Sequence, residues 1–199
     1  MSQVMELVVF QLKTGVNHAT FLQANEQVND WVKTQPGFVS RTLTHNEAVW
    51  YDVVFWQDET SAHSAAKQFM HDLCSSDFMA MIEPSSVEMS HSMVQTTCPA
   101  PNFNGCEFST FRAKEGVSDE QLIAASLKME QEFLKTESGF IHHTLLKGDH
   151  GAWADTVFTH SKSAAEQICQ NFMSNPACLE YLQLIEDGSA SLTFWSRAH

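Results

Sequence analysis

Apolar positions pass through the same succession of periods twice along the chain. Residues 5–12, MELVVFQL, form an apolar run of strand length. Phe21, Ala24, Val28 and Trp31 then recur at helical spacing. Two more strand-length runs cover 38–56 and turn at HNEA. A helix with Ala62, Ala65, Ala66, Phe69, Met70 and Leu73 on one face comes next, then a short helix near Asp77. SVEMSHSMV ends the succession as a strand. The second pass opens with CEFSTFRA. A capping box of Ser118 and Gln121 precedes Leu122, Ala125, Met129 and Phe133. Strands turning at KGDHGA follow, then a helix with Ala165, Ile168, Cys169, Phe172 and Met173, headed by Ser163 and Glu166. A short helix starts at Pro176, a residue suited to the first helical turn. SASLTFWSR closes the chain.

The two passes share a register. Gly37-Phe38 aligns with Gly139-Phe140 at an offset of 102 (139 − 37), and Trp50 and Asp52 align with Trp153 and Asp155 at 103 (153 − 50). The second offset holds through Phe55/Phe158, Phe69/Phe172, Ile82/Ile185 and Met89/Leu192. A period near 100 residues is that of a duplicated small domain. Each copy reads βαββαβ, the ferredoxin-like order. The expected domains are 1–95 and 106–199, joined by a linker at 96–105 where Pro, Asn and Gly replace periodic apolar residues. WYDVVFW is apolar on both faces. A ferredoxin-like sheet with helices on one face leaves the other to water, so the expected fold class is α+β, with two tandem ferredoxin-like repeats packed sheet to sheet as a fused pseudo-dimer.

Composition narrows the function classes. The chain has 199 residues, 43% of them hydrophobic, which suffices for a core. Its net charge is −13, from 24 acids and 11 bases, and no basic run occurs, so neither nucleic acid nor an anionic membrane surface is an expected partner. The N-terminus lacks the marks of a signal peptide and no apolar run reaches transmembrane length. Five cysteines with no C-x-x-C pair suit reduced thiols and a cytoplasmic location. Ten histidines show no H-x-x-x-H or H-E-x-x-H spacing, so no metal site is expected. Phosphate-binding glycine loops and nucleophile elbows are absent, so no nucleotide cofactor is expected either.

Asp52 and Asp155 are the most informative polar residues. Strand parity puts Trp50, Asp52, Val54 and Trp56 on one face, with Trp153, Asp155, Val157 and Thr159 as the second copy. A carboxylate among aromatics can serve as a general base. In the structural alternative it pairs with an arginine or a hydroxyl across the sheet. His71, His91 and His142 are the candidate pocket histidines. His142 and His143 are neighbours on a strand, so they point to opposite faces. The methionines and phenylalanines, Met70, Met79, Met81, Met89 and Phe69 among them, read as core or as the wall of an adaptable apolar pocket.

The pattern G-F-x-x-x-x-L…W-x-D-x-V-F-W, followed by an alanine-rich helix ending FM and by MAMIEPSSVEMSH, resembles the antibiotic biosynthesis monooxygenase (ABM-like) group of the dimeric α/β-barrel superfamily. The resemblance covers both halves and is closer in the first. It implies a cofactor-independent monooxygenase acting on a small aromatic or polyketide-like molecule, or a non-catalytic small-molecule-binding or structural protein that kept the fold. The asparagine and histidine of the group's haem-degrading members have no counterparts here: the first strand reads LVVFQL, and Ile82 stands where the histidine would fall. Within this resemblance the expected catalytic residues are Asp52, His91 and Arg41. The expected substrate-binding residues are Trp50, Trp56, Phe69, His71, Asp155 and His142. The first half is the expected site of activity, because Phe194 replaces His91, His143 replaces Arg41 and Thr159 replaces Trp56 in the second. The expected partner is a small molecule, with a further homo-dimer left open.

Overall fold

The computed structural model describes residues 3–96 and 102–198. Cys98, residues 97–101 of the expected linker, and His199 lie outside the described residues. The chain divides into two compact units. One runs to His91 and takes in Arg197 and Ala198; the other is Ser92–Ser196.

In the first unit the order is β1 (Val4–Gln11), α1 (His18–Lys33), β2 (Phe38–Asn46), β3 (Val49–Trp56), α2 (Glu59–Phe69), α3 (Leu73–Ala80) and the start of β4 (Glu88–Val94). β3 lies between β1 and β2, antiparallel to both. The second unit runs β5 (Gly105–Arg112), α4 (Asp119–Glu132), β6 (Phe140–Lys147), β7 (Ala152–Thr159), α5 (Lys162–Phe172), α6 (Pro176–Leu182) and β8 (Ser191–Arg197). β5 pairs with β7 and β8, β6 pairs with β7, and the end of β4 pairs Met93 and Val94 with β6. Each unit is α+β and ferredoxin-like, as the duplicated periodicity predicts. Every residue of β3 from Asp52 to Trp56 is buried, so the strand is covered on both faces.

Local chemistry sets the element ends. Asn17 caps α1 by accepting from the backbone N–H of Ala19 at 2.8 Å, and the predicted capping box of Ser118 and Gln121 heads α4. The cap of α5 is Ser161 rather than Ser163: β7 ends at Thr159, and the Ser161 hydroxyl accepts from Ala164 N–H at 3.1 Å. The helix expected to carry Met70 and Leu73 on its buried face stops at Phe69, and Asp72 caps a new one. The break turns both residues outward, to 64% and 92% exposure. His45, expected in a turn, is the penultimate residue of β2 and packs on Trp50. Gly37 and Gly139, the glycines of the repeated G-F pair, have φ of +79° and +88°. A Cβ on Gly37 would stand 2.2 Å from the Ser61 hydroxyl and one on Gly139 2.7 Å from Ala164 Cβ, so both positions require glycine.

A β-bulge between Phe38 and Ser40 shifts the register of β2 against β3, and one between Phe140 and His142 does the same in β6. Side chains alternate along a strand, so one extra residue moves everything after it to the other face. The cores follow the repeat. Phe10, Phe21, Val28, Trp50 and Phe78 pack together in the first unit. Phe111, Leu122, Met129, Trp153 and Tyr181 do so in the second.

Candidate functional site

Because of the first bulge, Arg41 shares a face with Asp52. Leu43 pairs directly with Asp52 and Arg41 with Val54, so Arg41 and Asp52 are diagonal neighbours on adjacent strands. Arg41 Nε donates to both carboxylate oxygens, at 2.8 and 3.0 Å, and Nη2 donates to Oδ2 at 2.7 Å. The side chains are 3% and 12% exposed. On the other flank of β3, Glu6 pairs with Val54. Glu6, Val54 and Arg41 therefore form one row across three strands, with Asp52 beside it.

This row forms the polar end of a cavity of about 350 Å³ within the first unit. Trp56 and Val54 continue its floor; Val28, Trp31 and Val32 of α1, Ala65, Ala66 and Phe69 of α2, and Phe78 and Met79 of α3 make its walls. Asp72 holds the Trp31 ring in place by accepting from Nε1 at 2.9 Å, and the ring lies 5.4 Å from that of Phe69. Met70, Val87 and Met89 line the cavity and are also exposed, which makes them its rim. The Trp56 indole N–H is buried and meets no acceptor among the described residues. A buried orphan donor costs about 1–3 kcal/mol unless a partner arrives.

Four of the expected site residues thus stand on one cavity: Asp52, Arg41, Trp56 and Phe69. His91 does not line it but engages Glu6, its Nε2 lying 2.9 Å from Oε2. Trp50 is on the same face but at the far end, stacked among Phe10 and Phe21. His71 is exposed just beyond α2 and lies outside the cavity. His142 faces away from Asp155 and stacks on Phe158, because the second bulge turns His143 inward instead.

The second unit keeps the carboxylate and changes its surroundings. Asp155 contacts His143 Nε2, Glu130 lies 3.2 Å from Nδ1, and Lys135 lies 3.0 Å from Glu130. His143 is fully buried. Burial alone would lower its pKa, but the charges and hydrogen bonds of Asp155 and Glu130 outweigh it and hold the imidazolium up to about 9. The hydrogen bond from His143 is the main reason Glu130 drops to about 2. Glu107, at the place of Glu6, is raised to about 7 by burial and by the Asp155 charge. Tyr181 replaces Phe78, and its phenol is pushed up by burial and then by Asp155. Its hydroxyl faces that charge without a hydrogen bond of good geometry. The side chains matching the cavity walls are larger here: Ile168 for Ala65, Met129 for Val28 and Cys169 for Ala66. Ile168, Met129 and Tyr181 are all buried in one cluster. Thr159, in place of Trp56, satisfies its own hydroxyl on Ser161 O at 2.8 Å.

Sequence reading passed over Glu6, Glu107 and Glu130, and named His143 only as the neighbour of His142 and the counterpart of Arg41. A glutamate recurs at one register position in both first strands, flanked by Met5 and Leu7 in one and by Cys106 and Phe108 in the other. The equivalent bridges Leu12–Ile82 and Ala113–Ile185 fix that register.

No family model and no curated protein matches the sequence. Solved structures match along the whole chain. A candidate monooxygenase of Fusobacterium nucleatum aligns at a TM-score of 0.68 with 14% identity, over 100% of this chain and 93% of its own. An anthrone oxidase-like protein aligns at 0.65 with 16% identity, over 100% and 92%. A ferredoxin-fold protein of Listeria monocytogenes related to antibiotic biosynthesis monooxygenases aligns at 0.51 with 13% identity, over 100% and 96%. The fold shared with these structures is a tandem chain of two ferredoxin-like halves. At such identities the likeness concerns the fold and leaves the chemistry to the site.

Proposed function

We propose that the first half binds a small aromatic molecule bearing a ring ketone or phenol and oxidises it with molecular oxygen, without a cofactor. The observation that carries this reading is the apolar cavity of about 350 Å³ with Arg41, Asp52 and Trp56 at its polar end. That volume lies within the roughly 300–1,000 Å³ of small-molecule sites. Aromatic and methionine walls suit a flat ring system. In the reaction, a ring CH2 conjugated with the carbonyl through the fused aromatic rings loses a proton, and the negative charge settles on the ligand oxygen. Arg41 uses two of its nitrogens on Asp52 and keeps further N–H donors for that oxygen. The unpaired Trp56 N–H is a second donor. Asp52 holds the guanidinium in place through three hydrogen bonds. The electron-rich anion then reacts with oxygen: a CH2 becomes C=O, O2 becomes water, and four electrons pass from the one to the other. The structural likeness to an anthrone oxidase-like protein agrees with this substrate class.

A second reading, ligand binding without turnover, is favoured by the commitment of both Asp52 oxygens to Arg41. Anthrone and oxygen separate the two. Oxygen uptake matching anthraquinone formation one to one, lost in the double variant Arg41→Met/Asp52→Leu, supports the oxidation. A raised melting temperature with anthrone and no oxygen uptake supports binding alone.

A further inference from the structure

We propose that Glu6 is the proton acceptor for the bound molecule, and that His91 and His63 carry the proton from it to solvent. The inference rests on the oxidation reading above. Glu6 stands on the cavity wall, next to Arg41 across Val54, with its side chain 9% exposed. Its Oε2 is 2.9 Å from His91 Nε2, and Oε1 is the oxygen left for a ligand. His91 is 17% exposed, and its ring meets that of His63 edge to face at 4.7 Å. His63 is 59% exposed and lies 3.9 Å from the surface Glu59. Four titratable side chains thus lead from the cavity wall to water, and each step goes to a more exposed group. Asp52 lacks such an exit, because its oxygens are held by a guanidinium that cannot give up a proton.

The proton balance is simple. The Glu6 carboxylate takes a proton from the ring carbon, whose bonding pair moves to the ligand oxygen as an enolate. Glu6 passes that proton to the unprotonated Nε2 of His91, His91 releases the one on Nδ1 toward His63 or water, and exchange with water moves the remaining ring proton back to Nδ1, so that Glu6 is again a carboxylate and His91 is in its starting tautomer. No electron leaves the ligand in these steps. The second half keeps the glutamate, as Glu107, but has Phe194, Glu166 and Lys162 where the first has His91, His63 and Glu59, so the same path does not exist there.

The test reads proton removal apart from oxidation. Anthrone is incubated with the protein in D2O under argon, its CH2 exchange is followed by NMR, and its binding by tryptophan fluorescence. Glu6→Gln is expected to bind anthrone as the native protein does and to lose roughly 100-fold or more in exchange. His91→Ala should lose exchange and regain it with added imidazole, whereas His91→Phe should not regain it. His63→Ala should slow exchange in dilute buffer only. Exchange by Glu6→Gln at the native rate, or no imidazole rescue of His91→Ala, overturns the relay and leaves the oxidation reading standing. A native protein that neither binds anthrone nor exchanges it overturns both.

Discussion

Arg41 and Asp52 share three hydrogen bonds and are both largely buried, and neither tolerates the loss of the other. Removing one partner of a buried ion pair typically costs about 3–5 kcal/mol, because the survivor keeps its charge without compensation. Replacing both with apolar side chains of similar volume is often neutral. Arg41→Met and Asp52→Leu alone should therefore each lower unfolding stability in urea by about 3 kcal/mol or more, and the double variant should recover most of that loss. Additive losses in the double-mutant cycle would mean that the pair contributes nothing as a pair. The same residues show what a sequence conceals. Asp52 could be singled out because a carboxylate inside an apolar strand is conspicuous, and its pairing with an arginine was one of two legible outcomes. That Arg41 would be the partner was not legible. A single bulge at Phe38–Ser40 decides which way it points, and nothing in the residue types near it announces an extra residue.

Helices and strands were legible because their periods are strong and occur twice. The break between α2 and α3 was not, since apolar residues at Met70 and Leu73 continue the helical spacing past the point where Asp72 caps a new helix. The second bulge, in β6, turned His143 rather than His142 toward α4 and β7, and this has a consequence for pH. His143 sits at about 9 in the folded protein against the ordinary histidine value of 6.5. Its contribution is complete below pH 6.5 and is lost as pH rises through 9. Glu107, raised from 4.5 to about 7, holds its proton more tightly when folded, so it also lowers stability as pH rises, from 4.5 to 7. Glu130, lowered from 4.5 to about 2, works the other way: its contribution is present above 4.5 and lost as pH falls through 2. Urea unfolding followed from pH 6 to pH 10 should show declining stability, and His143→Gln should flatten the part between 6.5 and 9. A native protein equally stable across that window would contradict the buried imidazolium.

At the scale of the whole chain, one ancestral unit has been copied and the copies have taken different courses. The first keeps small residues, Ala65 and Ala66, where α2 faces the cavity; the second has Ile168 and Cys169 there. Where the first presents an orphan indole N–H and an arginine, the second presents a satisfied threonine and a buried imidazolium. The duplication was legible from a register sustained over dozens of positions. Which copy holds open space was only hinted at by the differing polar residues, because volume is decided by how several side chains meet. Ala65→Ile transplants the filling residue of the second half into the first. Anthrone binding, titrated by tryptophan fluorescence with the native protein and with this variant, tests most directly whether the first-half cavity is the ligand site. Saturable binding by the native protein, and at least about tenfold weaker binding by a variant that is folded by circular dichroism, is the expected result. Equal binding by both, or none by the native protein, would contradict it.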